Sequence, residues 1–305
     1  MKYINTFSEN ALVSQVALGC MRIGEMSDAQ ADNYISNALE FGYNYFDHAD
    51  IYGGGKCEEV FGKALARNKG LRDKIFIQTK CGIRSGMYDF SKEHIVSSVE
   101  GSLKRLGLER VDVLLLHRPD LLMQPEEVAA AFDELEKSGK VAAFGVSNHS
   151  PAQIELLKKY VDQDIMINQM QLSITNASMI SSGANVNLGN GDGINRDGYL
   201  RDYCRLNGIT VQPWSPLQHG FIEGSFLGND DFSELNKVIK EKAEKYGVTD
   251  TGIAISWLLR LPDKMQPIVG STNIARLKEI SAAADITLSA KDWYEIYLAA
   301  GYRLP

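Results

Sequence analysis

Short apolar runs rich in β-branched residues recur eight times along the chain, and a segment of helical periodicity separates most neighbouring runs. The runs cover residues 16–18, 43–46, 75–77, 111–116, 141–146, 165–167, 209–211 and 268–269. Strands that alternate with helices favour a parallel sheet, because each helix returns the chain to the same edge. Eight such units in 305 residues predict an α/β fold, the (β/α)8 TIM barrel, as one domain over residues 1–305.

Local signals indicate where several of the helices begin. Ser27 or Asp28 is able to cap one helical segment, and Ser91 opens another. Pro125 and Pro151 suit the first turn of a helix, where a missing N–H leaves no hydrogen bond unmade. These positions predict helices between successive strands, as the barrel requires.

Three segments lie outside this alternation. Residues 2–14 precede the first run and read as a β-hairpin around Glu9 and Asn10, which we expect to plug the bottom of the barrel. Residues 173–198 and 218–231 are long, glycine-containing and without periodicity. Each follows a predicted strand, so we expect both to be loops on the face where barrel active sites form.

Composition narrows the possible partners and location. The 32 basic and 39 acidic residues give a net charge of −7, the opposite of the balance typical of proteins that bind nucleic acid or anionic membranes. The chain has no long apolar run that would span a membrane and no apolar leader among residues 1–19. Its four cysteines lack C-x-x-C spacing, so we expect free thiols in a soluble, cytoplasmic protein.

Four polar side chains follow the second, third and fourth apolar runs. They are Asp47, Tyr52, Lys80 and His117. In a parallel barrel these strand ends meet on one face, so we expect the four side chains to converge. Lys80 is then expected to lower the pKa of Tyr52, while Asp47 holds Lys80 in place. With His117 donating a hydrogen bond, the set would polarise a carbonyl and protonate its oxygen, given a hydride from a nicotinamide.

Residues 42–53, GYNYFDHADIYG, resemble the first signature of the aldo-keto reductases. The resemblance covers nearly the whole chain and is greatest to a bacterial subgroup, the YdhF-like oxidoreductases. It places the Tyr, Lys, Asp and His of the family tetrad on the same four residues. It implies an NADP(H)-dependent oxidoreductase that reduces a small aldehyde or ketone to an alcohol by hydride transfer, with Tyr52 as general acid.

The resemblance also implies an extended NADP(H) molecule held without a dinucleotide-binding glycine motif, and the sequence has no G-x-G-x-x-G after a strand. The implied cofactor contacts are Cys20, Met21, Asp47, Ser147, Asn148, Gln169, Trp214, Ser215, Leu217, Gly270, Ser271, Thr272, Arg276 and Glu279. Among these, the amide and hydroxyl groups at 147, 148 and 169 match positions that bind the carboxamide, and Trp214 matches a residue that stacks on the nicotinamide.

The adenosine end of this set lies after the last predicted strand. Ser271 or Thr272 is expected to cap the following helix, whose N-terminus suits a phosphate. Arg276 is expected to pair with a 2′-phosphate, which would favour NADP(H) over NAD(H). Glu279 is expected to accept a hydrogen bond from the adenine. Gly270 stands where many members of the family carry a basic residue.

The substrate pocket is expected to be lined by Met21, Ile51, Tyr52, Arg118 and residues 120–123. Arg118 either attracts a carboxylate or phosphate of the substrate or pairs with Asp120, and we favour the pairing. The short tail after residue 301 suggests an open pocket that accepts a range of carbonyl compounds. Neither the natural substrate nor the oligomeric state follows from the sequence.

Two alternatives remain open at this point. The first alternative to a reductase is a nicotinamide-bound sensing or binding module with negligible turnover. The second, less favoured, is a metal-dependent hydrolase. The latter would take its ligands from Asp47, His48, Asp50 and His117. Side chains alternate along a strand, so we expect His48 to face the helices and not the site, and we assign no metal.

Overall fold

Eight parallel strands form the central sheet of the computed structural model, which describes residues 1–8 and 11–305. They are β1 (Ala17–Gly19), β2 (Tyr45–Asp47), β3 (Phe76–Cys81), β4 (Val111–Leu116), β5 (Val141–Ser147), β6 (Ile165–Gln171), β7 (Thr210–Trp214) and β8 (Ile268–Val269). Each of the eight apolar runs overlaps one of these strands. Their burial on both faces explains why they read as continuous apolar runs instead of alternating patterns.

The sheet closes on itself into a (β/α)8 TIM barrel. Neighbours follow the order β7-β6-β5-β4-β3-β2-β1-β8, all parallel. The seam between the two ends is bridged just before β8, where Val211 of β7 donates its N–H to Lys264 and accepts a hydrogen bond from Gln266. The predicted barrel is therefore confirmed.

Eleven α-helices lie in the described residues. They are α1 (Asp28–Glu40), α2 (Lys56–Arg67), α3 (Lys92–Leu106), α4 (Pro125–Lys137), α5 (Pro151–Leu157), α6 (Ser178–Ala184), α7 (Leu200–Leu206), α8 (Ser233–Tyr246), α9 (Asp250–Leu259), α10 (Ile274–Ala283) and α11 (Ala290–Ala299). Ser27 and Ser91 accept hydrogen bonds from the first-turn amides of α1 and α3, as the capping signals predicted. Ser150 caps α5, which begins at Pro151 as predicted. The apolar faces of the helices pack on the outside of the barrel and form with it the larger of two buried hydrophobic clusters.

The N-terminal hairpin closes the bottom of the barrel, as predicted. Its strands Tyr3–Asn5 and Leu12–Ser14 pair antiparallel, and the turn predicted at Glu9 and Asn10 lies outside the described residues. Val13 is fully buried in the inner cluster of the barrel, and the ring of Phe7 packs on Phe76 with centroids 5.6 Å apart. The hairpin therefore covers this end of the barrel with apolar side chains, which leaves the opposite end for a ligand.

The segment 173–198 is not a structureless loop, as its composition suggested. It contains α6 and a short 3-10 turn at Gly191–Gly193. Ile180 is buried there, and the main-chain N–H of Ala177 donates to the hydroxyl of Tyr302 near the C-terminus at 2.7 Å. The segment 218–231 instead holds a hairpin of Gln218–His219 and Gly224–Ser225, followed by a 3-10 turn at Asp230–Phe232. The burial of Ile180 and the hydrogen bond to Tyr302 explain why the segment 173–198 adopts a regular structure.

Two expectations about environment are addressed directly by the structure. All four cysteines are buried and unpaired, as their spacing suggested. No helix in residues 1–8 or 11–305 combines the length and apolarity that crossing a bilayer requires.

Candidate active site

A cavity of about 790 Å³ opens where the barrel strands end. Asp47 at the end of β2, Ser147 at the end of β5 and Trp214 at the end of β7 all line it. His117, directly after β4, lines the same wall. Because the carboxyl ends of all eight strands meet here, polar residues that are far apart in the sequence share one wall, as predicted.

Lys80 forms the centre of the polar cluster at the base of this cavity. Its Nζ lies 2.7 Å from Oδ1 and 2.9 Å from Oδ2 of Asp47, and it donates to the hydroxyl oxygen of Tyr52 at 3.0 Å. A third acceptor is the main-chain carbonyl of His48, at 2.8 Å. The ammonium is fully buried and fully hydrogen-bonded, so its charge is held in one place.

The pKa of Tyr52 differs from what we expected. Burial raises the pKa of Tyr52 above its ordinary value, and this outweighs the lowering by Lys80. Burial by itself lowers the pKa of Lys80, but Asp47 and Tyr52 more than offset it, so the pKa of Lys80 is raised. Tyr52 is therefore a protonated phenol beside a charged ammonium in the absence of ligand.

His117 lies across from the Tyr52 ring, with ring centroids 6.1 Å apart and planes at 83°. Burial, with smaller contributions from Lys80 and Arg118, holds the pKa of His117 well below its ordinary value. Its Nδ1 is buried and makes no hydrogen bond within the described part of the chain. A neutral imidazole of this kind has one N–H that is able to donate into the cavity.

A chain of glutamines inside the barrel supports Asp47. Gln78 and Gln169 both donate through Nε2 to Oδ1 of Asp47. Gln212 accepts hydrogen bonds from both and passes the chain on to Gln266, which donates to a main-chain carbonyl of the hairpin floor. Three of these glutamines were not predicted from the sequence: Gln78, Gln212 and Gln266. Their signal was present, because a glutamine inside an apolar strand requires a partner.

The predicted carboxamide contacts form one connected group at the ends of β5 to β7. Asn148 donates to the hydroxyl of Ser147 at 2.7 Å and accepts from the indole N–H of Trp214 at 3.1 Å. Ser147 in turn donates to the main-chain oxygen of Gln169 at 2.9 Å. The indole of Trp214 is therefore oriented by the same amide that the resemblance assigns to the cofactor.

Backbone strain is concentrated around this cavity. Of the five non-glycine residues with positive φ in the described chain, Asn148 (61°), Ser215 (51°) and Ile222 (62°) line it. The last is unusual, because β-branched residues rarely adopt this region. Gly53, after Tyr52, is also left-handed and lines the cavity. Such strain is typical of functional sites, where surrounding packing over-determines the backbone.

The N-terminus of α10 lies at one end of the cavity, but its cap is not the residue that we predicted. Asn273, and not Ser271 or Thr272, accepts the hydrogen bond from the N–H of Arg276. Ser271 instead accepts from the N–H of Asn273, because residues 270–272 are needed to bring the chain from β8 to the helix. Ser271 and Arg276 both line the cavity.

The structure places most of the predicted cofactor contacts on the cavity wall. These are Met21, Asp47, Ser147, Asn148, Gln169, Trp214, Ser215, Leu217, Gly270, Ser271 and Arg276. It does not bring Cys20, Thr272 or Glu279 to this wall. Cys20 is fully buried, while the other two face solvent. The cavity is also lined by four polar residues that were not predicted from the sequence: Arg22, Gln218, Ser225 and Thr251.

The predicted pairing of Arg118 with Asp120 is wrong. Asp120 accepts from the main-chain N–H groups of Phe90 and Leu122. The guanidinium of Arg118 instead lies over the ring of Trp214, 5.5 Å from its centroid. The main-chain donors offered by the neighbouring loops engage the carboxylate, which leaves the guanidinium in the cavity wall.

The residues considered for a metal site are separated by the strand. His48 is fully buried and packs on Phe61 of α2, on the side away from the cavity, as the alternation predicted. Burial, followed by Lys80, lowers the pKa of His48 to about 3. Within residues 1–8 and 11–305, no three His, Cys, Asp or Glu side chains are grouped to hold a metal ion.

Comparisons with known proteins indicate the same family as the resemblance in residues 42–53. The model of the aldo/keto reductase family matches residues 15–298. A 6-dehydroglucose reductase of Agrobacterium fabrum (strain C58) is 35% identical over 96% of this chain and 96% of that protein. The oxidoreductase YdhF of Escherichia coli (strain K12) is 34% identical over 96% and 95%. The crystal structure of an aldo/keto reductase from Klebsiella pneumoniae, in complex with NADP and acetate, matches with a TM-score of 0.79 at 23% identity and covers 100% of this chain and 97% of its own.

Proposed function

Because this chain belongs to the aldo/keto reductase family, we propose that it reduces aldehydes or ketones to alcohols with NADPH and that Tyr52 is the general acid. The observation that carries the proposal is the position of Lys80. Its Nζ joins the carboxylate of Asp47 to the hydroxyl of Tyr52 at the wall of the cavity. The substrate is a small carbonyl compound.

The residues of the cavity fit a nicotinamide dinucleotide. The volume of about 790 Å³ lies within the range typical of ligand pockets. Ser147, Asn148 and Gln169 offer the hydroxyl and amide groups that a carboxamide needs. At the other end, Arg276 and the N-terminus of α10 offer positive charge and free N–H groups for a phosphate. When bound, the reduced nicotinamide supplies a hydride to the carbonyl carbon.

The proton follows from the hydrogen bond between Lys80 and Tyr52. An ammonium only donates, so the O–H of Tyr52 is not used on Lys80 and is free to point at a substrate oxygen. As negative charge builds on that oxygen, Tyr52 transfers its proton there. Lys80 then stabilises the phenolate that remains, and Asp47 keeps Lys80 charged and in place. His117, neutral at physiological pH, donates a second hydrogen bond to the same oxygen.

We propose that NADP(H) is preferred over NAD(H) through Arg276. Its guanidinium is exposed on the first turn of α10 and lines the cavity beside Ser271. A planar guanidinium binds a phosphate through two parallel hydrogen bonds, and NAD(H) has no phosphate at the 2′ position to accept them.

The four free cysteines fit a reducing compartment, and we propose a cytoplasmic protein that acts as one domain.

The test measures NADPH consumption with a panel of aldehydes in wild type, Tyr52→Phe and, as a matched control, Tyr160→Phe at an exposed tyrosine outside the cavity. We expect Tyr52→Phe to lower kcat by roughly 10²- to 10⁴-fold and the control to change nothing. Tryptophan fluorescence, titrated with each nucleotide, follows binding separately.

In the same titrations, Arg276→Ala is expected to weaken NADPH roughly tenfold or more and NADH much less. Nucleotide binding without turnover of any carbonyl would support the binding-module alternative. Equal turnover by Tyr52→Phe and wild type would overturn the role of Tyr52.

A further inference from the structure

The charge of the cavity wall is opposite to that of the chain. The whole protein carries a net charge of −7. The charged residues that line the cavity in the described structure are Asp47 and three arginines, Arg22, Arg118 and Arg276. Since Asp47 is already paired with Lys80, the arginines give the wall an excess of positive charge. Such a wall attracts anions.

Two of the three arginines lie at the end proposed for the adenosine and phosphates of the cofactor. Arg22 donates to the main-chain oxygen of Gly270 at 3.3 Å, and Arg276 is on the first turn of α10, directly after that segment. Both are accounted for by the phosphates of a dinucleotide. Arg118 is at the other end, next to His117 in the chain and over Trp214.

Arg118 is held in place and yet makes no hydrogen bond to any residue that the structure describes. Within residues 1–8 and 11–305, no carboxylate lies within ion-pair distance of its guanidinium, and Asp120 is engaged by main-chain amides. The indole beneath it is itself fixed by Asn148. Contact with an aromatic face orients a guanidinium without using its N–H donors. In the part of the chain that the structure describes, this half-buried guanidinium therefore has five N–H donors that no protein group engages, and they are available to a ligand.

We propose that Arg118 binds a carboxylate on the substrate, so that the preferred substrates are aldehydes or ketones that carry a carboxylate at a distance from the carbonyl. A planar guanidinium matches one carboxylate with two parallel N–H···O bonds. The single arginine at this end suits a monoanion better than a phosphate dianion, for which several donors usually converge. This proposal rests on the proposed reductase function and names the substrate class of the same site.

The experiment compares 4-oxobutanoate with its methyl ester, which has the same aldehyde and carbon skeleton but no charge. We expect kcat/KM of the wild type to be roughly ten- to hundredfold higher for the acid. Arg118→Leu should remove most of this ratio by raising KM for the acid, while Arg118→Lys should retain part of it. Arg196→Leu is the matched control, because it removes one exposed arginine outside the cavity.

The outcomes separate the two proposals. Turnover of the ester with no preference for the acid would overturn the role of Arg118 and leave the reductase function intact. An equal loss of preference in Arg196→Leu would show that only overall charge matters, and would also overturn it. Absence of turnover of both compounds and of the aldehyde panel would overturn the reductase function and this inference with it.

Discussion

Strands β2 and β3 carry polar side chains on both of their faces, and the polar networks on the two faces have different surroundings. On the inner face, Asp47 and Lys80 form the cluster that reaches Tyr52. On the outer face, their chain neighbours His48 and Thr79 point toward α2. The same two strands therefore support one polar network open to a cavity and one enclosed by helices.

The outer network centres on Glu58 of α2, which is fully buried. It accepts from the hydroxyl of Thr79 at 2.6 Å and from Nε of Arg105 at 2.8 Å. Arg105 also donates to Ser102 at 3.1 Å. A Cβ on Gly55 would lie 2.8 Å from Cδ of Arg105, so the glycine next to the Tyr52 turn makes room for this side chain.

The two networks differ in whether they reach the cavity. The outer one joins Glu58 to two donors and lies away from the cavity, so it binds α2 and α3 to the barrel. The inner one pairs its carboxylate and ammonium equally well, but it ends at Tyr52, which lines the cavity across from His117. We infer that both ion pairs, Asp47–Lys80 and Glu58–Arg105, stabilise the fold, and that only the first also takes part in the proposed proton transfer.

The largest effect is expected from Lys80→Met. Loss of the ammonium leaves the carboxylate of Asp47 buried without its charged partner, which should lower the free energy of unfolding by about 3–5 kcal/mol. The reductase rate should also fall at least ~10²-fold, since Tyr52 loses the group that stabilises its phenolate. Urea midpoints and turnover measure the two effects.

The double variant Asp47→Asn, Lys80→Met sharpens this prediction. It removes both charges, so it should recover much of the lost stability and none of the activity. If the single variant kept full activity, the chemical role of the inner network would be wrong.

A smaller effect, on stability alone, is expected from Glu58→Gln. The amide keeps the shape of the side chain but loses the ion pair with Arg105, which is about a quarter exposed and remains partly hydrated. The free energy of unfolding should fall by about 1–3 kcal/mol, with turnover near that of the wild type. A loss of turnover without a loss of stability would show that the outer face also controls the chemistry.

The smallest effect depends on pH. Burial, followed by the charge of Glu58, raises the pKa of Asp50 to about 6, above the value of about 3.9 in an unfolded chain. A raised folded pKa means that the stabilisation is complete below pH ~4 and is lost as pH rises through about 6. Asp50→Asn mimics the protonated form, so it should gain about 1–2 kcal/mol over the wild type at pH 8 and nothing at pH 4.

Urea midpoints across this pH range check the prediction, with Asp164→Asn at an exposed site as the control. A gain at pH 8 that persists unchanged at pH 4 would mean that packing, and not ionisation, is responsible.

The sequence alone was sufficient for the barrel, the positions of its strands along the chain and the starts of four helices. These depend on local patterns: apolar runs of strand length, serine caps at Ser27 and Ser91, first-turn prolines at Pro125 and Pro151, and the rule that parallel strands end on one face. The convergence of Asp47, Tyr52, Lys80 and His117 followed from the same rule. The resemblance in residues 42–53 then pointed to the family.

Tertiary structure alone decided which partner each polar group took and how deeply each was buried. Arg118 lies over Trp214 because the amides of Phe90 and Leu122 engage Asp120, and neither contact follows from spacing in the chain. The pKa of Tyr52 is raised for the same kind of reason, because burial is set by the atoms that surround the ring and not by its neighbours in sequence. Periodicity and strand direction are local properties of a chain, whereas desolvation and the choice among competing partners exist only once distant segments have packed together.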